Sequence, residues 1–361
     1  MKKILIFATI ICTMVLSKKL NAQGEAEIPY KKIFAYGLDA NIQPALTILD
    51  SISYSQLNEK DSIFKREFEN RFKYENDLGE YAVDNDKIDQ LNSMFRSYWR
   101  KSMLNPEETF DGQLAGQVVP FLLRNYTEMK GKRPSRDSIG YILSSYISSS
   151  GLHTRSKVDR VGRLLDLPIW QNEKDSLVTI NMPDESFEVE VVFMLDFISY
   201  GWSSYATLNN RRSGGWAEEN KLFCVRELYD LNSEDFQVSF LAHEGRHLVD
   251  MKLYPKLKSP DLEYRAKLTE LILAKETLFS TVESFINDAN QTSENSHPLA
   301  NYYVIHHLSR KLFNEDFCSN ISRWKKINVK KINNAADDLL NENTAELTNL
   351  GADVERLISS N

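Results

Sequence analysis

Residues 241–250 read Leu-Ala-His-Glu-Gly-Arg-His-Leu-Val-Asp, so His243, Glu244 and His247 form an H-E-x-x-H pattern. On an α-helix, positions four apart share a face, and both imidazoles can reach one cation. Zinc accepts two such nitrogens at about 2.0–2.1 Å. A glutamate beside the first histidine projects toward the ion's open position, where it can take a proton from water. With 6 His and 28 Glu among 361 residues, the pattern arises by chance in roughly one such chain in a hundred.

The flanking residues predict the helix that this chemistry needs. Ser233 is a good N-cap, and Glu234 and Asp235 favour the positive end of the helix dipole. Phe236, Phe240, His243, His247 and Asp250 form one stripe, and Pro255 stops the run. A catalytic zinc needs a third protein ligand and keeps a fourth position for water. The next predicted helix opens Ser259-Pro260-Asp261 and carries Glu263 and Glu270 on one face. Glu263, Glu270, Asp250 or a residue outside this pattern could supply the third ligand. Asp250 and Glu270 are also candidates to accept the second nitrogen of a ligating histidine.

His243-Glu244-x-x-His247 followed by a helical Glu resembles the gluzincin branch of the zincin metallopeptidases, over about residues 175–310. No third His follows at the short H-E-x-x-H-x-x-G-x-x-H spacing, which excludes the metzincin arrangement. His247 to Glu263 is somewhat shorter than in thermolysin-like enzymes, and their N-E-x-x-S-D context is missing. The match is therefore to the superfamily. The resemblance implies Zn2+ held by His243, His247 and Glu263, with Glu244 as general base in peptide-bond hydrolysis. It also implies a small sheet before the motif helix, with an edge strand that holds extended peptide. The strand around Lys221 to Val225, after Gly214-Gly215-Trp216, is the candidate edge. An oxyanion helper would be a Tyr, His or Arg near the metal. The segment from His297 to His307 offers Tyr302, Tyr303 and His306 besides its end residues.

The elements that must position these residues read as a helical half followed by a mixed half. From Ile28 to Tyr126 apolar residues recur at three and four, as in Phe64, Phe68 and Phe72 or Phe95, Tyr98 and Trp99. The Gly- and Pro-containing stretch Lys130 to Ser135 marks a soft boundary, with a helix over about 138–148 beyond it. Leu177 to Ile180 is β-rich, and Phe187, Val189 and Val191 alternate with Glu188 and Glu190. After Asn232 the pattern is helical. A last amphipathic helix carries Leu340, Leu347 and Val354 at sevens, with Leu350 and Leu357 beside them. The fold expected is α+β and predominantly helical: a helical region over residues 23–135, then a zincin-like metallohydrolase domain over 136–361.

Residues 1–22 read as a signal peptide, with Lys2 and Lys3, the apolar run Ile4 to Leu16, and Ala22 before Gln23. The setting expected is thus secreted or periplasmic, and no later stretch is apolar enough to span a membrane. The formal net charge is −7, and loss of four signal-peptide lysines makes the mature chain −11. That balance argues against nucleic acid or an anionic membrane surface as partner; a peptide or protein substrate is what the resemblance implies. Cys224 and Cys318 remain, either paired or as two separate buried thiols. His153 sits in a Ser-rich stretch without an evident partner. The chain shows no phosphate loop, no G-x-S-x-G elbow and no C-x-x-C. The rival expectation is a non-catalytic, extracytoplasmic helical binding protein with a degenerate or structural metal site.

Overall fold

The computed structural model describes residues 27–76, 85–131, 134–218, 220–293 and 295–358; residues 1–22, expected to be a signal peptide, lie outside them. The chain is mostly helical with a small mixed sheet, an α+β arrangement. Among the described residues six helices come first: α1 (Tyr30–Leu38), α2 (Gln43–Asp50), α3 (Glu59–Phe72), α4 (Asp86–Leu104), α5 (Asp111–Asn125) and α6 (Ile139–Ser149). Their three-and-four stripes meet in one core that buries Phe68, Phe72, Phe95, Tyr98 and Trp99. That core continues past residue 135 through Leu143 and Ile147, then into Leu167, Ile169, Ile198 and Trp202. No break in packing coincides with the Gly- and Pro-rich stretch.

A short pair, β1 (Arg160–Val161) and β2 (Leu164–Leu165), leads into the long antiparallel hairpin of β3 (Pro168–Asn181) and β4 (Ser186–Tyr200). The one-turn α7 (Trp202–Ala206) follows, then β5 (Gly215–Glu218) and β6 (Lys221–Val225). The four-stranded order is β3-β4-β6-β5, with β6 parallel to β4 and antiparallel to β5. The Lys221–Val225 strand is therefore interior, and β5 forms the edge. Adjacent strands joined by a tight turn pair antiparallel, which places β5 outside β6. On one sheet face Val189, Val191, Leu222 and Cys224 pack against Phe236, Phe240 and Leu241. The opposite face buries Trp170, Met194, Trp216 and Val225.

The motif segment departs from a simple α-helix. Ser233 caps it as expected, its hydroxyl accepting from Phe236 N at 3.1 Å. Asp235–Ala242 is then wound in wide π turns, and only His243–Leu253 (α8) is α-helical. In i→i+5 winding, residues four and five apart share a face. Phe236, Phe240 and Leu241 accordingly all bury on the sheet, while Val238 faces the other way, into the C-terminal core. Gly245 lets α8 lie close on β3: a Cβ there would stand 3.0 Å from the Ile180 side chain.

The C-terminal part stacks α9 (Ser259–Leu273), α10 (Leu278–Asp288), α11 (Ser296–Phe313), α12 (Ile321–Trp324) and α13 (Val329–Leu350) around Leu268, Val304, Leu308 and Trp324. The heptad reading overran its helix. α13 stops at Leu350, and Gly351 takes a positive φ of 86° that an L side chain rarely adopts. Val354 and Leu357 still pack beside Leu347, but from the tail that follows. That tail returns to the start of α9: Leu357 N and Ile358 N donate to Asp261 Oδ1 at 2.9 and 2.8 Å. Cys224 and Cys318 are both free and buried, each in a different core. Among the described residues no helix is long and apolar enough to cross a membrane.

At Gly215, the first residue of the edge strand, a Cβ would collide with the Phe223 carbonyl oxygen and the Phe240 ring. Gly215→Ala is expected to lower stability by about 1–3 kcal/mol, the usual cost of overpacking. A drop in the thermal midpoint checks this.

Candidate metal centre

α8 and α9 lie side by side, and their polar residues meet in pairs. His243 and His247 are one turn apart on α8, and both face Glu263 on α9. His243 Nε2 and His247 Nε2 are 3.2 Å apart. Glu263 Oε1 is 3.4 Å from His247 Nε2, and its Oε2 is 3.6 Å from His243 Nε2. One ligand atom from each residue lies within 4.8 Å of the others, the only such His/Cys/Asp/Glu group among the described residues. Tetrahedral ligands with bonds of about 2.0–2.1 Å stand about 3.3 Å apart, so this donor set fits a single zinc-sized cation. One further atom agrees with that fit: Glu263 Oε2 is buried without a hydrogen-bond partner, a costly state for a polar atom.

Glu270, two turns after Glu263, lies against the other side of His243, with Oε1 at 2.6 Å from Nδ1. With Nδ1–H donated to this carboxylate, loss of the Nε2 proton would leave Nε2 as the lone pair a metal ligand needs. Glu270 therefore orients His243 rather than serving as a third ligand. Asp250 does neither task. It is fully buried and forks onto Arg265, with Oδ2 2.7 Å from Nε and Oδ1 3.0 Å from Nη2. It follows His247 by three residues, and α8 turns it instead toward the buried Arg265 guanidinium. Arg246, also buried, forks onto Asp184 in the β3–β4 turn at 2.5 and 3.1 Å. Its Nε donates to Thr269 Oγ1 at 3.2 Å.

Glu244 is half-buried and makes no hydrogen bond or ion pair with any described residue. Its charge nevertheless acts on His243, Tyr229 and Arg155. Of the 297–307 segment, only His297 reaches the cluster. From the first turn of α11 its Nδ1 lies 2.9 Å from Glu263 Oε2, near enough for charge attraction though not aligned as a hydrogen bond. The rest of the segment is packed elsewhere. Tyr302 stacks on His306 and Phe317. Tyr264 Oη meets His307 Nδ1 at 2.8 Å. Burial, helped by His306, pulls the His307 pKa down to about 4. His153 pairs with the Trp170 backbone and the Glu173 carboxylate, away from the centre.

The charges are strongly coupled. Burial alone would lower the His243 pKa, but Glu270, then Glu263 and Glu244, raise it to about 9. Burial would raise the Glu263 carboxyl, but His297 and His247 hold it well below the usual range. Sequence reasoning did not single out Arg155 or Tyr229. Each stands alone in its segment with no spacing pattern to flag it.

Comparison with protein-family models, with curated proteins and with solved structures returns no match.

Two outcomes follow from these pairs. Asp250→Ala leaves the Arg265 guanidinium buried without its carboxylate and should cost about 3–5 kcal/mol, read from urea unfolding. With chelator present, protonated His243 stabilises the fold fully below about pH 6.5, its unfolded value. That contribution is lost as pH rises through about 9. The thermal midpoint in chelator should fall between pH 6.5 and 9.5, and His243→Gln should remove most of that fall.

Proposed function

We propose that the protein is an exported zinc-dependent hydrolase of the gluzincin-like kind, acting on peptide bonds. The observation that carries this reading is the meeting of His243, His247 and Glu263, one ligand atom of each within 4.8 Å of the others, beside the unpaired Glu244. A structural zinc site closes all four positions with protein ligands and has no use for a free carboxylate beside it. Here three donors converge, and Glu244 is left available.

His243, His247 and Glu263 would hold the zinc, which would supply Lewis-acid polarisation when bound. Glu244 would accept a proton from the attacking water and pass it to the leaving amine, as a general base that then acts as acid. Glu270 holds the His243 ring and its tautomer. His297, drawn to Glu263 Oε2, biases which carboxylate oxygen faces the histidines. β5, the edge strand, offers backbone to an extended peptide by strand addition. It packs directly on α8, which would bring such a peptide alongside the centre. The signal-like residues 1–22 support export, where peptides and proteins are available substrates.

The test is metal content and turnover together. Wild type and Glu244→Gln should each carry about one zinc per chain after purification without chelator, and His243→Ala much less. Wild type should cleave members of a peptide library that Glu244→Gln leaves intact. Wild type without zinc would overturn the reading and leave a helical binding protein.

A further inference from the structure

Arg155 lies in the stretch between α6 and β1, and its neighbours hold it firmly. His153 pairs with the Trp170 backbone in both directions, at 2.9 and 3.1 Å. Thr154 Oγ1 donates to Pro168 O at 2.6 Å. Ser156 donates to the Glu218 carboxylate through both its backbone N, at 2.9 Å, and its hydroxyl. The Arg155 guanidinium itself rests 3.8 Å over the ring of Trp216, in the edge strand.

Despite this fixed perch, Arg155 has no hydrogen bond or ion pair with any described residue, and its Nε is buried without a partner. A largely buried guanidinium is costly unless a carboxylate or phosphate answers it. The nearby carboxylates are committed elsewhere. Glu218 takes Ser156 and the Trp216 indole, the latter at 2.9 Å. Asp166 takes the Trp202 backbone N at 2.8 Å. Burial lowers the Arg155 pKa, while the charges of Asp166, Glu218 and Glu244 oppose that; β5, whose Trp216 carries the guanidinium, packs on α8, the helix of Glu244.

We propose that Arg155 is a substrate-recognition residue, its planar fork presented beside the edge strand to bind a carboxylate of an extended peptide. This rests on the hydrolase reading for its substrate class. An arginine fork matches a carboxylate with two parallel hydrogen bonds. Stacking on Trp216 keeps the fork flat and pre-ordered, so little rotamer entropy is lost when it engages. The surrounding Glu218, Glu244 and Asp166 favour a singly charged carboxylate over a doubly charged phosphate. That carboxylate comes either from an acidic side chain or from the peptide's C-terminus.

The experiment reads binding without turnover. Alanine-based hexapeptides, amidated and carrying Glu or Gln at one scanned position, are titrated calorimetrically into Glu244→Gln protein. A neutral hexapeptide with a free C-terminus forms the other arm. A carboxylate peptide should bind at least about tenfold more tightly than its neutral match. The preference should vanish when Arg155→Gln is added and survive in part with Arg155→Lys, which keeps the charge but not the fork. A preference for the Glu peptide identifies an acidic side chain, and one for the free-acid peptide identifies the terminus. Equal affinities, a preference that persists in a folded Arg155→Gln protein, or no peptide binding at all would overturn the proposal. Failure of the hydrolase reading shows separately, as wild-type protein without zinc, and does not touch this binding comparison.

Discussion

The interface between α8 and α9 is polar and buried at once, and the organisation of the centre follows from that constraint. Along it His243 meets Glu270, Arg246 meets Thr269, His247 meets Glu263 and Asp250 meets Arg265. From the His243–Glu270 pair at one end to the Asp250–Arg265 pair at the other, the two helices run in opposite directions. Each rung withdraws a polar or charged group from water, so each must find a partner of matching geometry. The Asp250–Arg265 fork does so with two short contacts, and Arg265 reaches on to Asn343 and Thr344 of α13. The His247–Glu263 rung does so least completely, and it is there that a cation would complete the set.

Apolar layers hold this polar seam in register. The π-wound entry presses Phe236, Phe240 and Leu241 onto the sheet, so α8 begins at a fixed height above β6. Gly245 brings the helix down against Ile180 and Met182 of the hairpin region. Behind α9, Leu268 and Leu271 belong to the C-terminal core, with Val304 and Leu308 of α11. One helix is thus anchored to the sheet and the other to the bundle. The donors sit where the two anchored bodies meet, and rotamer freedom is low on both sides.

Much of this was legible in the residues alone. Four-residue spacing put both histidines on one face, and a seven-residue interval put Glu263 and Glu270 on another. The helical and strand periods located most elements. What the sequence could not reveal depends on three-dimensional partners. Asp250 looked like a histidine partner because it lies one turn away; the buried Arg265 on the next helix takes it instead. Lys221 to Val225 looked like an edge because nothing in a strand's own pattern tells whether a later or earlier neighbour lies outside it. The π winding leaves no separate signature, since an apolar stripe at fours and fives reads as a ragged α stripe. Heptads in the last segment ran through Gly351 because packing, not helix, carries Val354 and Leu357. Arg155 was invisible for the opposite reason: a lone residue has no period.

The tail contacts at the start of α9 bear on the order in which the centre can come into being. Asp261, two residues before Glu263, accepts the backbone of Leu357 and Ile358, and Lys258 N donates to Glu355 O at 2.8 Å. Residues nearly a hundred positions apart therefore set the entry of the helix that carries the third donor. While the chain emerges during synthesis, His243 and His247 appear long before the segment that seats their acidic counterpart. The meeting of His243, His247 and Glu263 thus depends on a contact made far along the chain from the two histidines. A chain lacking the segment around Leu357 would carry both histidines without the backbone donors that seat the start of α9.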